Sequence, residues 1–139
     1  MADGKEFRAI YKVRNHDIDA YGHVNNAAYL RIMEDAMVDY VEELGVHLLE
    51  LGREGISVYM SEVSLKYLRP AFLGDNLCIL TTFTSISRVK MIWFNEIYRQ
   101  KSNELLTRVQ AKAAFVNRQG KVIPIPPQVK SIFEDHVSS

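Results

Sequence analysis

The strongest constraint on this chain is that it carries one long helical stripe and, after it, mainly strand-like patterns. From Ala27 onward the apolar side chains Tyr29, Met33, Ala36, Met37, Tyr40, Val41 and Leu44 recur at three- and four-residue steps. That spacing lines one face of an α-helix. Arg31, Asp35, Asp39, Glu42 and Glu43 fall mainly on the remaining face, with Arg31 and Asp35 set as an i,i+4 pair. Asn25 or Asn26 is the predicted N-cap and Gly45 the predicted C-cap. A second short helix is predicted over residues 46–53. The stripe is wide and rich in Met and Ala, so other structure must wrap it.

The wrapping elements read as strands. Residues 7–13 place Phe7, Ala9, Tyr11 and Val13 on one side and Arg8, Ile10 and Lys12 on the other, the period of a strand with one buried face. Residues 57–69 set Val63, Leu65 and Tyr67 against Glu62, Ser64 and Lys66, and Pro70 closes that strand because it cannot continue a ladder. Gly74-Asp75-Asn76 is a turn, and residues 77–86 are β-rich around Thr81-Thr82-Phe83-Thr84. After a connection at residues 87–90, residues 91–99 alternate Met91, Trp93 and Asn95 against Ile92, Phe94, Glu96 and Tyr98. A hairpin signal at residues 101–104 leads to residues 106–116, where Val109, Ala111, Ala113 and Phe115 oppose Arg108, Gln110 and Lys112. The small alanine face is the predicted place of close helix approach. Gln119-Gly120 turns the chain, and Pro124, Pro126 and Pro127 are expected to stop any further strand. A short final helix is predicted over residues 128–136. One helix and a meander imply an α+β fold, a curled antiparallel sheet wrapped around the helix. Its free edges make edge-to-edge dimerisation the natural remedy.

Bulk properties narrow the function. The chain has 139 residues, of which 47% are hydrophobic and 24% charged, and is expected to form a single domain over residues 1–139. Seventeen basic and 17 acidic side chains cancel. No field of one sign points to nucleic acid or a membrane, so an anionic ligand must be met by a local cluster. The lone cysteine, Cys78, lies in an apolar run and reads as an inert core thiol, which fits a reducing compartment. The opening MADGKEFRA lacks the apolar stretch of a signal peptide, and no apolar run approaches the roughly 20 residues that span a bilayer. The expected location is cytoplasmic.

The chemistry concentrates in residues 16–26, HDIDAYGHVNN. Two carboxylates, two imidazoles and two carboxamides stand just before the helix, where backbone N–H donors and the positive end of the helix dipole can hold a reacting group. Gly22 relieves the backbone where the chain turns. His16 and His23 with Asp17 and Asp19 superficially suggest a metal site, but no known ligand spacing fits well, and no metal or cofactor is expected.

The run DIDAYGHVNNAAYLRIMEDA, then YLRPAFLGDNLCILT, then GKVIPIPPQV, resembles acyl-CoA thioesterases of the 4-hydroxybenzoyl-CoA thioesterase type, which have the hotdog fold. The likeness runs from about Phe7 to Val129. The HVNN wording is similar also to acyl-ACP thioesterases. The resemblance implies a homodimer with a continuous sheet, often paired again into a homotetramer, with acyl-thioester sites at the subunit interface. It implies Asp19 as the catalytic carboxylate and the N–H of Asn26 as the donor that polarises the thioester carbonyl. Tyr21 and His23 flank Gly22 where the family varies.

Thioester hydrolysis needs an attacking carboxylate or water and a place for the oxyanion. Asp19 suits the first role; its alternative is an Asx-type carboxylate that ties loop N–H groups. Asp17 reads as structural. His23 orients the loop or touches substrate, and Asn25 holds the attacking water or carbonyl, or simply caps. Gly22, Tyr21 and Tyr29 are candidate substrate contacts, with Met33 and Tyr29 alternatively core. Glu34, near the stripe edge, is a working carboxylate or a solvated one. Arg69, Arg88 and Lys90 are candidate contacts for CoA phosphates. Tyr21, Tyr59, Phe72 and Trp93 are expected to set pocket depth. Two other readings stay open: a hydroxyacyl-thioester dehydratase or hydratase using His16 or His23 with Glu34, and a non-catalytic acyl-CoA binding module.

Overall fold

A computed structural model describes residues 6–138; the leader reading at residues 1–5 lies outside them. In chain order the elements are β1 (Glu6–Lys12), α1 (Ala28–Glu43), α2 (Leu48–Arg53), β2 (Ser57–Tyr67), β3 (Asn76–Ile86), β4 (Lys90–Arg99), β5 (Glu104–Val116), β6 (Val122–Ile123) and α3 (Pro127–Glu134). The strands form one antiparallel sheet in the order β1-β3-β4-β5-β2, with β6 added to β5. The sheet curls around α1, the hotdog arrangement.

α1 buries Tyr29, Ile32, Met33, Ala36, Met37, Tyr40 and Val41; Ile32 joins the stripe legible in the sequence. The helix ends as its glycine requires. Gly45 has φ 96°, its N–H donates to Glu42 O at 3.0 Å, and the Val46 N–H reaches back to Val41 O at 2.9 Å. This double closure satisfies terminal carbonyls through a left-handed residue. The start differs from expectation. Ala27, not an asparagine, takes the N-cap position, without a side-chain cap, and Asn25 works two residues earlier.

Cross-strand pairing explains the alanines. Ala111 lies opposite Trp93, and Ala113 opposite Met91, so small side chains make room for large neighbours on the same buried face. Met33, Met37 and Val41 of α1 share the larger core with Ala111 and Ala113, while the α1 backbone lies alongside β3 and β1. Phe83 anchors the larger core, its ring 5.2 Å from Tyr40 and 4.9 Å from Phe133. It thereby joins α1, β3 and α3. A second cluster, including Val13, Val24, Tyr29, Ile32, Ala71 and Ile97, lies beneath the HDIDAYGHVNN loop.

Two features escape simple periodicity. The β2–β5 register shifts between Met60 and Glu62, a bulge that resets the phase of β2. Val58 and Met60 precede it, and Val63 and Leu65 follow, all four half-buried. The second is β6, where Ile123 pairs with Phe115. The prolines end this strand after two residues rather than preventing it. Cys78 is buried; burial pushes its thiol pKa up against the opposing pull of Arg8, which suits an inert thiol. Among the described residues no helix is long and apolar enough to cross a membrane.

Candidate active site

The HDIDAYGHVNN loop is a closed structure. Ile18 and Val24 bridge across it, the Asp19 N–H donates to His23 O at 3.0 Å, and the Gly22 N–H donates to Asp19 O at 3.1 Å. Gly22 has φ 84°, a conformation that favours glycine at this tight reversal. The Val24 N–H bonds to Ala71 O at 2.8 Å, which ties the loop to the Pro70–Asp75 segment.

The two aspartates of the loop differ completely. The Asp17 side chain is fully buried. Its carboxylate accepts the Tyr11 hydroxyl at 2.6 Å and the Arg14 N–H at 2.9 Å, and it pairs with Arg31. Burial alone would raise its pKa, but the bonds from Tyr11, Arg14 and Arg31 outweigh burial and hold it below the usual carboxylate value. Asp17 O also accepts the Asn25 N–H at 2.8 Å. Asp17 is thus the structural hub of the loop. Asp19 is only half-buried, and its Oδ1 accepts the Tyr21 N–H at 2.9 Å. No bond among the described residues engages its Oδ2.

A cleft of about 240 Å³ opens where this loop meets the end of β2. One wall is His23, Val24, Asn26 and Tyr29; the other is Tyr67, Leu68, Arg69 and Pro70. Of the site residues read from the sequence, His23, Asn26, Tyr29 and Arg69 line it. Asp19 is not among the lining residues; its main-chain N–H is bonded to His23 O, and His23 lines the cleft. Asn25 turns its Oδ1 to the Ala27 N–H at 2.8 Å. The Tyr21 ring is exposed and stacks on His23, centroids 6.0 Å apart. The Tyr29 hydroxyl lies by Thr107 and the Ala71 backbone; burial raises its pKa against their opposing pull.

The basic candidates separate. Arg69 borders the cleft and pairs with Glu104 at 3.0 Å. Arg88 and Lys90 sit at the far end of the sheet. Lys90 is opposite Ala114, whereas Tyr67 is opposite Thr107. The offset along β5 is about 23 Å at roughly 3.3 Å per residue. Glu34 is exposed on α1, Met33 and Trp93 are in the core, and Tyr59 and Phe72 are exposed. Among the described residues no group of three or more His, Cys, Asp or Glu is gathered to hold a metal ion.

Tyr67 is the cleft residue that periodicity left without a role. Its hydroxyl donates to the Asn26 carbonyl at 2.9 Å, and its ring meets Tyr29 edge-on at 5.6 Å. The Asn26 N–H enters no hydrogen bond among the described residues. The Asn25 carbonyl of the same peptide unit accepts the Ala28 N–H at 2.9 Å, which polarises and orients that amide.

The comparisons with known proteins follow this geometry. Residues 13–133 match the model of the Thioesterase-like superfamily. A chloroplastic acyl-acyl carrier protein thioesterase of Arabidopsis thaliana, ATL3, is 25% identical over 122 residues, covering 88% of this chain and 64% of that protein. The chain therefore spans less than two thirds of that relative's length. The long-chain acyl-CoA thioesterase FadM of Escherichia coli K12 is 33% identical over 76 residues, 55% of this chain and 57% of FadM. In fold, the chain is similar to the 1,4-dihydroxy-2-naphthoyl-CoA thioesterase Slr0204 from Synechocystis, with a TM-score of 0.88 and 23% identity over 94% of this chain and 96% of that one. By the match over residues 13–133, the chain belongs to the Thioesterase-like superfamily.

Proposed function

We propose that this protein hydrolyses an acyl thioester, carried on CoA or on acyl-carrier protein, to a free acid and a thiol. The observation that carries the reading is the uncommitted Asn26 N–H in a cleft at the start of α1, in a chain of this superfamily. The thioester carbonyl enters the cleft with its oxygen toward that amide. As the carbonyl carbon becomes tetrahedral, the amide and the positive end of α1 stabilise the developing oxyanion. The Asp19 carboxylate supplies the attack, either directly, giving a mixed anhydride that water opens, or by taking a proton from water. The thiolate leaves readily, so no strong general acid is needed. His23 shapes the cleft wall next to Asp19, and Arg69 faces the phosphates of the carrier.

Self-association belongs to the same reading. β2 is an edge strand, with half-buried Val58, Met60, Val63 and Leu65 along it and Tyr59 66% exposed. A second copy pairing there covers those side chains and closes the cleft from outside, in a homodimer.

The test is thiol release from butyryl-, octanoyl-, palmitoyl- and benzoyl-CoA, and from the matching acyl-carrier-protein thioesters, followed with a thiol-reactive dye. Saturable turnover of at least one substrate is expected. Tight binding of acyl-CoA with thiol release at background would overturn the reading in favour of a binding module.

A further inference from the structure

The amide at the head of the cleft is useful only if it points one way, and the structure holds it from both sides. The peptide unit before Asn26 is pinned by the Ala28 N–H on the Asn25 carbonyl, 2.9 Å. The peptide unit after Asn26 has its N–H held by Asn25 Oδ1 at 2.8 Å and its carbonyl held by the Tyr67 hydroxyl at 2.9 Å. The first two bonds are local to the turn. The third comes from β2, 41 residues further along the chain. Without it, the second peptide unit keeps a single anchor from an exposed carboxamide, and the backbone angles at Asn26 are free to drift.

We infer that Tyr67 is a positioning residue for hydrolysis, its hydroxyl clamping the Asn26 backbone so that the Asn26 N–H keeps its aim into the cleft. The inference rests on the oxyanion reading given above. The clamp acts through geometry and touches no reacting atom. It spans two parts of the fold, the end of β2 and the turn that opens α1, so it also couples the two walls of the cleft. The bulge between Met60 and Glu62 makes this possible. It resets the alternation of β2, which puts Tyr67 in phase with the inward-facing Val63 and Leu65. The ring can then lie against Tyr29 with its hydroxyl over the turn. A preorganised donor needs no reorganisation as charge develops, and misdirecting it weakens the transition state more than the bound substrate.

The test is Tyr67→Phe in the full chain, which removes the hydroxyl and keeps the ring against Tyr29. It is assayed beside wild type and Asp19→Asn with whichever of the four acyl-CoAs turns over fastest. The expected result is a fall in kcat of about tenfold, the scale of a misdirected rather than a deleted oxyanion donor, with KM within about twofold. The thermal midpoint should stay unchanged, and in amide NMR spectra the Asn26 cross-peak should shift or broaden while distant peaks superpose. An unchanged kcat, a loss confined to KM, or a kcat loss that merely follows a fall in folded fraction overturns the inference. If wild type is active, Asp19→Asn is inactive and Tyr67→Phe is fully active, the inference fails and the hydrolase reading stands. If no thioester turns over, both fail.

Discussion

Asp17 and Arg31 form an ion pair that ties the loop before α1 to the first turns of the helix itself. The carboxylate is fully buried, while the Arg31 side chain is 44% exposed. Asp17→Asn should therefore destabilise the fold by about 2 kcal/mol, below the range for a wholly buried pair because water screens the arginine. The folded pKa of Asp17 is depressed, so its contribution is complete above the unfolded carboxylate value of about 3.9 and fades as the pH falls toward the folded value. Urea midpoints measured from neutral to acid pH should fall more steeply for wild type than for Asp17→Asn. Parallel curves would contradict this account.

Asp19 should behave in the opposite way. The only bond to its carboxylate among the described residues is from the Tyr21 N–H, and an asparagine Oδ1 can accept that bond equally well. Asp19→Asn should leave the thermal midpoint in place and lower kcat by at least about a hundredfold, the lower end for a lost acid–base group. Turnover at the wild-type rate would move the attacking group elsewhere.

Arg69 is the basic side chain bordering the cleft. Arg69→Ala should raise KM for acyl-CoA about fivefold, matching the ~1 kcal/mol of an exposed charged contact, and should flatten its dependence on salt. Arg88→Ala and Lys90→Ala should leave KM within about twofold, because both lie at the far end of the sheet. An equal rise in those variants would mean that a second copy carries its own far end to this cleft.

Phe133 should matter for stability alone. Its buried ring sits 4.9 Å from Phe83 and 6.5 Å from Phe115, in the cluster away from the loop. Phe133→Ala should cost about 3–5 kcal/mol by emptying that space, read as a lowered denaturation midpoint. KM of the folded fraction should be unaffected.

Local order in the sequence determined a good deal. The steps of Tyr29, Met33, Met37 and Tyr40 defined the helix and its buried face, and the alternations around Trp93 and Val109 defined two strands and their inward sides. Gly45 marked the helix end, because a closing left-handed residue favours glycine. The crowding of polar groups in residues 16–26 located the loop. All of these are properties of neighbours in the chain, which periodicity and backbone preference report directly. The sequence already set Asp17 apart from Asp19 as the structural carboxylate of the motif, but only the tertiary structure supplied the partners that bury the one and left the other half-buried. Tyr11 and Arg31 arrive from the flanking elements to bury the first, and among the described residues no side chain bonds to the second. Tyr67 meeting Asn26, the wall made by residues 67–70, β6 joining β5 past Gly120, and Arg88 falling far from Arg69 were decided there too. Each depends on how strands of a curled sheet are registered over long separations, and that register is set by packing around α1 rather than by any local signal.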